Sequence, residues 1–356
     1  MVESSSSPPP WPAQHQDTPA ARPSRIKELD ALRGLAALGV VFYHYTTRYG
    51  QIYGHTEGLP FSLPAGRYGV LLFFMISGFV ILMSLERNQT VLDFLVKRLA
   101  RLYPTYWAAI ALTFAAVAIF GLPGREVTVQ IALLNGLMFH PLFDLPDVDG
   151  VYWTLLVELI FYVIMAGLLM LRALPHIEWM MALWLIVNAL ENHNILIEVP
   201  AAAERWLILE YAHFFIMGII FYRIRQHGAS GLRYGILAAC LASHIAIAPE
   251  PDKLLAVLLF MAAFFLINAG WLGAIAIPPL LALGTVSYPL YLIHQNIGYI
   301  VIQALEGQGV SPALSIVVAT SVAIALAVPI VYGVEQPVVR WVKAAYRRRA
   351  AKPPMR

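Results

Sequence analysis

The chain has 356 residues and a formal net charge of +3. Hydrophobic residues make up 59% of it, charged residues only 13%, and the mean hydropathy is +0.68. A soluble globular protein carries about 25% charged residues, and a disordered chain needs low hydrophobicity, so both classes are excluded. The composition instead predicts an all-α polytopic membrane protein. The single cysteine, Cys240, excludes a disulfide scaffold and a cysteine-ligated zinc cluster.

The N-terminal segment, residues 1–24, is rich in Ser, Pro, Ala and Gln and has no hydrophobic period, which is typical of a disordered tail. A secretory signal peptide would begin with a basic region followed by an apolar run. Here the first charge is Glu3, and the first apolar run begins after residue 30. We therefore expect an uncleaved cytoplasmic tail, then a membrane domain over 25–342 and a basic cytoplasmic tail over 343–356.

Ten apolar stretches follow the tail, most of them close to the ~20 residues that a membrane-spanning helix needs. The fifth stretch is short, and a further stretch at 128–141 could form a short or re-entrant helix. The ten predicted spans are 31–48, 67–85, 104–121, 153–171, 177–190, 205–223, 232–248, 253–270, 283–304 and 312–334.

Lysine and arginine are unevenly distributed between the two sides of these spans. With the N-terminus in the cytoplasm, 19 of the 24 basic residues lie inside and 5 lie outside. The positive-inside rule therefore places both termini in the cytoplasm. The same distribution explains the isoelectric point of about 8.9, because the basic excess follows the topology. The C-terminal basic cluster favours anionic membrane lipid as a partner, rather than nucleic acid.

The first span carries two ionisable residues, Arg33 and His44. Their spacing of 11 residues is about three helical turns, so they share one helix face about 16 Å apart along the axis. Ionisable residues inside spans are costly and usually functional. The pair suits a bound molecule that is anionic at one end and reactive at the other. The alternative for His44 is a hydrogen-bonded core histidine.

The start of the third span presents two arginines, Arg98 and Arg101, which are neighbours on one helical face. Two guanidinium groups can hold phosphate oxygens in bidentate hydrogen bonds. The alternative is that both residues anchor the helix to phospholipid headgroups.

Further ionisable residues lie in later spans. Thr154 and Glu158 share a face of the fourth span, where Glu158 could orient a histidine, bind a hydroxyl or form a structural ion pair. His294, in the ninth span, either faces a substrate or stabilises helix packing. For Glu335 we favour a local cap or salt bridge, and for His213 a structural role.

An outer loop over 140–152 combines carboxylates with aromatic residues and ends at Tyr152 and Trp153. Such a surface suits a hydrophilic acceptor, although an ordinary solvated loop has the same composition. The sequence contains no HExxH motif and no clustered histidine–carboxylate set, so we expect no metal.

Six motifs occur in chain order over roughly residues 25–342. They are Asp30-Ala-Leu-Arg33-Gly34 with His44, Gly69 to Phe79, Arg98-Leu-Ala-Arg101-Leu-Tyr-Pro104, Trp153 to Tyr162 with Glu158, Ser287 to His294, and Val334-Glu335-Gln-Pro337. Together they resemble the motifs of the acyltransferase-3 family of integral membrane acyltransferases. Leu71 stands where family members often have Asp or Glu, so no acidic role is assigned there. We expect no fused extracytoplasmic domain of the kind that some relatives carry.

The resemblance implies transfer of an acyl group, usually acetyl, from cytoplasmic acyl-CoA to a hydroxyl of an extracytoplasmic glycan or glycolipid. It implies acetyl-CoA as co-substrate, and an integral protein of the bacterial cytoplasmic (inner) membrane. A general base and a covalent acyl-histidine both stay open for His44. The assigned residues are catalytic His44 and Glu158, donor-binding Arg33, Arg98 and Arg101, and substrate-binding Tyr152, Trp153 and His294.

Two other classes of protein fit parts of this pattern. A secondary transporter or lipid flippase would also combine ten spans with buried charges, but residues 180–356 hold no second copy of the first-span pattern. A structural membrane scaffold needs no in-phase arginine and histidine. Release of CoA from an acyl-CoA donor separates the enzyme from both.

Overall fold

The computed structural model describes residues 26–86, 90–192, 205–247 and 250–350, and the predicted tail 1–24 lies outside them. All regular structure in the described ranges is helical, which confirms the all-α prediction. The helices are α1 (Lys27–Phe42), α2 (Tyr49–Ile52), α3 (Gly69–Leu85), α4 (Val91–Phe120), α5 (Val129–Asn135), α6 (Trp153–Met170), α7 (Ile177–Asn192), α8 (Leu209–His227), α9 (Gly231–Ile247), α10 (Pro251–Ala269), α11 (Pro278–Glu306), α12 (Pro312–Ile330) and α13 (Gln336–Ala350).

Several helices are suited to a membrane by length and composition. Two shorter apolar segments, Leu174–Leu190 and Gly231–Ile247, accompany five that are long enough to cross one. The count of about ten spans and the cytoplasmic position of both termini stay predictions. The five long segments among the described residues are Pro64–Leu85, Val91–Phe120, Trp153–Met170, Pro251–Ala269 and Pro312–Tyr346.

Helices α1 and α11 pack closely and run parallel. At one end a Cβ on Gly34 would lie 2.7 Å from the carbonyl oxygen of Leu280 and 2.9 Å from the backbone nitrogen of Gly284, so only glycine fits. At the other end the hydroxyl of Tyr45 donates to the carbonyl oxygen of His294 at 2.7 Å. Both helices have odd numbers in the predicted order of spans, and their parallel packing agrees with that order.

Helix α4 begins earlier than the third predicted span, which was placed at 104–121. The structure has one helix of 30 residues with Pro104 inside it. Thr90 caps its start, since the Thr90 hydroxyl accepts the backbone N–H of Asp93 at 3.1 Å. Arg98 and Arg101 therefore project from the early turns of a long helix toward the bundle.

The chain passes from α1 to α2 through a π-helical segment, Tyr43–Arg48, which contains His44. The hydroxyl of Thr46 donates to the carbonyl oxygen of Phe42 at 2.6 Å and accepts the N–H of Leu63 at 3.1 Å. Isolated π-helical turns are rare and frequently occur at functional sites. A second π-helical segment, Val331–Glu335, joins α12 to α13.

Candidate active site

An elongated pocket lies between α1, α3, α4, α6 and α11. It contains about 830 Å³ of space, a figure that includes open solvent at its mouth. Its lining on α3 extends from Val70 to Ile81, about 16 Å at 1.5 Å per residue. The pocket therefore follows the helix axes and could hold a long, narrow ligand.

Four of the predicted site residues line this pocket together. Arg33 comes from α1, Arg98 and Arg101 from α4, and Glu158 from α6. Arg33 lies within electrostatic range of the other three. The lining itself has three guanidinium groups and one carboxylate, an excess of positive charge, while the carboxylates of Asp30 and Glu335 lie nearby but outside the lining. Such an excess favours a ligand that carries several negative charges.

Two of these arginines have carboxylate neighbours that lie farther away than a hydrogen bond allows. Nη1 of Arg33 is 3.8 Å from Oδ1 of Asp30, and Nε of Arg101 is 3.6 Å from Oε1 of Glu335. A charge-assisted hydrogen bond is shorter, about 2.7–2.9 Å. The Arg33 and Arg101 guanidinium groups therefore retain N–H groups for a ligand, and the salt bridge expected for Glu335 is present in this loose form.

Tyr162 connects Glu158 to Arg98. Its hydroxyl donates to Oε1 of Glu158 at 2.5 Å, and the guanidinium of Arg98 lies 6.0 Å from its ring centroid. Ser77 donates to the same carboxylate oxygen at 3.3 Å. Neither Tyr162 nor Ser77 is among the predicted site residues. The spacing of four residues between Glu158 and Tyr162 is the signal that could have identified this pair.

A pair of histidines, His44 and His294, lies beyond Tyr291 at the other end of the pocket, and neither is among the residues that line it. Tyr291 lines the pocket, and its carbonyl oxygen lies 2.8 Å from Nδ1 of His294. Nε2 of His294 lies 3.0 Å from Nδ1 of His44, which is also 2.9 Å from the carbonyl oxygen of Val40. Residues 250 positions apart in the sequence are thereby joined in one hydrogen-bonded chain.

The two carbonyl oxygens determine which ring nitrogens carry protons. A carbonyl oxygen only accepts, so Nδ1 of each histidine is the donor. His294 donates to Tyr291, and the Nδ1–H of His44 is shared between Val40 and Nε2 of His294. Nε2 of His44 therefore keeps a lone pair. It has no hydrogen-bond partner among the described residues, and it is not one of their fully buried unpaired atoms.

The structure does not bring Glu158 to His44. The oxygen partners of Glu158 are Ser77 and Tyr162, whereas the ring partner of His44 is His294. Of the two predicted catalytic residues, Glu158 thus lines the pocket at its arginine end, whereas His44 lies outside the lining, beyond Tyr291. This separation follows from their helices, because Glu158 points between α3 and α4 while His44 packs on α11.

The predicted acceptor residues at the start of α6 lie outside the pocket lining. Tyr152 is buried, with its ring centroid 5.0 Å from that of Tyr106. Trp153 is 37% exposed and lies 5.4 Å from the ring of Tyr211. Thr154 does line the pocket, and its hydroxyl is 3.0 Å from that of Tyr291.

The loop before α6, which the sequence predicts to lie outside, is docked on α11. The carboxylate of Asp149 accepts the backbone N–H groups of Asn296 at 3.0 Å and of Val151 at 3.3 Å. Burial raises the pKa of Asp149 to about 7, against the opposing effect of these two bonds. Nε2 of His140 lies 2.6 Å from Asp147. The loop is therefore ordered next to His294 rather than simply solvated.

The part of the chain that the structure describes contains no group of three or more His, Cys, Asp or Glu side chains placed to hold a metal ion. The histidine of α8, His213, pairs with His244 at 3.3 Å and lies outside the pocket.

The family model for the acyltransferase domain of the acyltransferase-3 family matches residues 26–332. The chain belongs to the acyltransferase-3 family. This confirms the resemblance drawn from the six motifs, five of which contribute residues to the pocket lining.

Proteins from several Rhizobium species are similar in sequence to this chain. Nodulation protein 10 of Rhizobium leguminosarum bv. viciae is 29% identical over 257 residues, which cover 61% of this chain and 65% of that protein. Exopolysaccharide production protein ExoZ of Rhizobium meliloti (strain 1021) is 28% identical over 246 residues, 64% of this chain and 75% of that protein. Protein 2 in picA locus of Rhizobium radiobacter is 35% identical over 137 residues, 33% of this chain and 66% of that protein. The chain thus spans just under two thirds of the nodulation protein's length, and no solved structure matches it.

Proposed function

We propose that this family member transfers an acyl group, acetyl in the simplest case, from acyl-CoA to a hydroxyl group of an extracytoplasmic glycan or glycolipid. One observation carries the proposal. A pocket with three arginines extends to Tyr291, and a chain of hydrogen bonds joins Tyr291 through His294 to His44, whose Nε2 is free to accept a proton.

The donor would bind with its phosphates at Arg33, Arg98 and Arg101. Guanidinium groups match phosphate oxygens in bidentate geometry, and Arg33 and Arg101 retain N–H groups for such bonds. The pantetheine arm would then extend along the pocket, past Tyr288 and Tyr291, so that the thioester reaches the histidine end. We place Glu158 at the donor end, where through Tyr162 it positions Arg98.

The reaction then needs one proton acceptor. Nε2 of His44 takes the proton from the acceptor hydroxyl as the hydroxyl oxygen attacks the thioester carbonyl. The carbon–sulfur bond breaks, and His44 returns the proton to the CoA thiolate, which leaves as the free thiol. His294 acts as a positioning residue, since its Nε2 accepts the Nδ1–H of His44 and maintains the reactive tautomer. An acyl-histidine intermediate is the alternative, in which Nε2 itself attacks the thioester.

The proposed acceptor is supported by the chemistry of the site and by the name of one relative. ExoZ is named for exopolysaccharide production, and the histidine end lies next to an ordered polar loop. We therefore place the acceptor, a polysaccharide unit or a glycolipid, on the outer face of a bacterial cytoplasmic membrane. Tyr152 and Trp153, at the start of α6, remain proposed acceptor residues.

The test is release of free CoA thiol by the full-length protein in detergent, with acetyl-CoA and oligosaccharide acceptors. We expect His44→Gln to lose the release while His213→Gln, which removes another buried histidine of the membrane domain, retains it. Mass spectrometry of the protein with acetyl-CoA alone separates a general base from an acetyl-histidine. Transport of a glycan or lipid without any CoA release would favour the transporter class and contradict the proposal.

A further inference from the structure

Two arginines, Arg48 and Arg125, lie at the outer end of the site near His44. Both are within electrostatic range of the His44 ring and of Tyr299 on α11. Arg48 ends the π-helical segment, one turn after His44, and Arg125 lies in the loop between α4 and α5. The reacting position therefore faces a second group of cations, separate from the arginines of the donor pocket.

Neither arginine has an ion-pair partner in the part of the chain that the structure describes. Arg48 donates to the neutral side-chain amide of Gln51 at 3.3 Å. The backbone N–H of Arg125 donates to the carboxylate of Glu126. The guanidinium of Arg125 has no hydrogen bond to any of the described residues. Arg67, another arginine of the outer side, is by contrast paired with Glu250 at 2.7 Å.

A buried carboxylate, Asp149, lies within electrostatic range of Arg125 but is used by the backbone. It accepts the N–H groups of Asn296 and Val151, and burial raises its pKa to about 7. At neutral pH it is thus only partly ionised, so it leaves much of the Arg125 charge unbalanced.

Gly150 keeps the space between Arg125 and α11 open. A Cβ at this position would lie 3.1 Å from Nη1 of Arg125 and 3.1 Å from Oε1 of Gln295. Gln295 is only 4% exposed, and its Oε1 has no hydrogen-bond partner among the described residues. The guanidinium of Arg125, a cationic donor, and Oε1 of Gln295, a buried acceptor without a partner, thus both lie near Gly150. Gln295 directly follows His294 in the sequence.

The two segments that carry the arginines are fixed to each other. The hydroxyl of Tyr53, just after α2, donates to the carbonyl oxygen of Pro123 at 3.0 Å. The ring of Tyr53 also lies 5.8 Å from that of Tyr299 on α11. This contact joins the end of the first membrane helix to the loop of Arg125, so both guanidinium groups are presented by one packed surface.

We infer from these contacts that Arg48 and Arg125 bind a negatively charged group of the acceptor, a carboxylate or a phosphate close to the hydroxyl that His44 deprotonates. The inference rests on the proposed function and narrows its acceptor from glycans in general to acidic glycans. Guanidinium groups bind both carboxylate and phosphate in the same bidentate geometry.

The test compares two acceptors that differ in charge alone, an oligogalacturonide as the free acid and as its methyl ester. The full-length protein in detergent is assayed for acetyl transfer from acetyl-CoA to each. We expect the wild-type protein to prefer the free acid. Arg125→Gln and Arg48→Gln should each lower kcat/KM for the acid by about tenfold or more and leave the ester within a few-fold. Arg125→Lys should retain part of the preference, and Arg67→Gln is the matched control that should retain all of it.

Equal transfer to both acceptors, transfer to the ester alone, or transfer to neither overturns the inference. So does an acid preference that persists in both glutamine variants. These results leave the proposed function standing as long as the protein releases CoA with water or any hydroxyl compound in a His44-dependent manner. Absence of His44-dependent CoA release with every acceptor, water included, counts instead against the proposed function.

Discussion

The arginine end of the pocket and the histidine pair beyond Tyr291, here called the histidine end, hold their polar groups in different ways. At the arginine end, the nearest carboxylates of Arg33 and Arg101 are 3.8 and 3.6 Å away. At the histidine end, hydrogen bonds of 2.8 to 3.0 Å join Tyr291, His294 and His44. The first arrangement leaves charge available to a ligand, whereas the second determines the direction and the tautomer of one side chain.

This difference indicates that the arginine end serves in binding and the histidine end in proton transfer. Groups that keep unused hydrogen-bonding capacity contribute to binding, because a ligand completes their bonds. Groups locked by backbone carbonyls contribute to a proton transfer, which depends on orientation. Substitutions at the arginine end should therefore change donor affinity, and those at the histidine end should change the rate of transfer.

The largest expected effect is at His44. His44→Gln keeps a polar side chain but cannot accept the proton, so transfer should fall by about 10²–10⁴-fold, as for His44→Ala. Acyl-CoA binding, measured by titration in detergent, should stay within a few-fold, since Arg33 lies about 16 Å away along α1. Near-wild-type transfer by His44→Gln at equal expression would return His44 to a structural role.

The next largest effect is expected at the arginine end of the pocket. Arg98→Ala and Arg101→Ala should each weaken acyl-CoA binding by roughly 10–150-fold, because a charge-assisted contact to phosphate contributes ~1.5–3 kcal/mol. Lysine should rescue only in part, since it lacks the bidentate fork. Lys343→Ala, an exposed basic residue of α13, is the control for general attraction of the donor. Unchanged CoA affinity in both alanine variants would mean that these arginines only anchor the helix.

A smaller effect is expected at His294. His294→Leu removes one acceptor of the Nδ1–H of His44 while Val40 keeps the other. One hydrogen bond of about 0.5–1.5 kcal/mol corresponds to a roughly 2- to 13-fold loss of kcat. The KM for acyl-CoA should not change, and His294→Gln should restore kcat because its amide oxygen can accept the same proton. A change in KM with kcat intact would place His294 at the donor instead.

The last effect concerns the stability of the fold and its pH dependence at Asp149, rather than the rate of transfer. The pKa of this carboxyl is about 7 in the folded protein, above its ordinary value of 3.8. Between these values the folded state holds a proton that the unfolded state has lost, so raising the pH from 4 to 7 lowers the free energy of unfolding, by at most about 4 kcal/mol. Asp149→Asn cannot ionise, and its thermal midpoint should gain on the wild type between pH 5 and pH 8. A difference that is the same at both pH values would contradict the assignment.

The sequence predicted the helical fold and the residues of the arginine end, because those depend on composition and on local spacing. Arg98 and Arg101 share a face in any helix, and Arg33 reaches them once the bundle forms. It misplaced the start of α4, since charges and Pro104 are typical of a span boundary. The whole helix forms because its N-terminal turns are capped by Thr90 and packed in the bundle.

The histidine end could not be predicted in the same way. His44 and His294 are 250 residues apart, and only the parallel packing of α1 on α11 brings their rings together. The π-helical turn that contains His44 has no reliable sequence signal. The expected support of His44 by Glu158 likewise depended on tertiary structure, and the carboxylate instead lies with Ser77 and Tyr162.

The central claim is that the donor enters at the arginine end and the acceptor reacts at the histidine end, on opposite faces of the membrane. Sealed proteoliposomes with the protein in one known orientation test it directly. Radiolabelled acetyl-CoA is supplied on one face and the oligosaccharide acceptor on the other. The account predicts acetylated product only when acetyl-CoA is on the face of Arg98 and Arg101, with none from His44→Gln. Product formed with donor and acceptor both confined to the histidine face would contradict it.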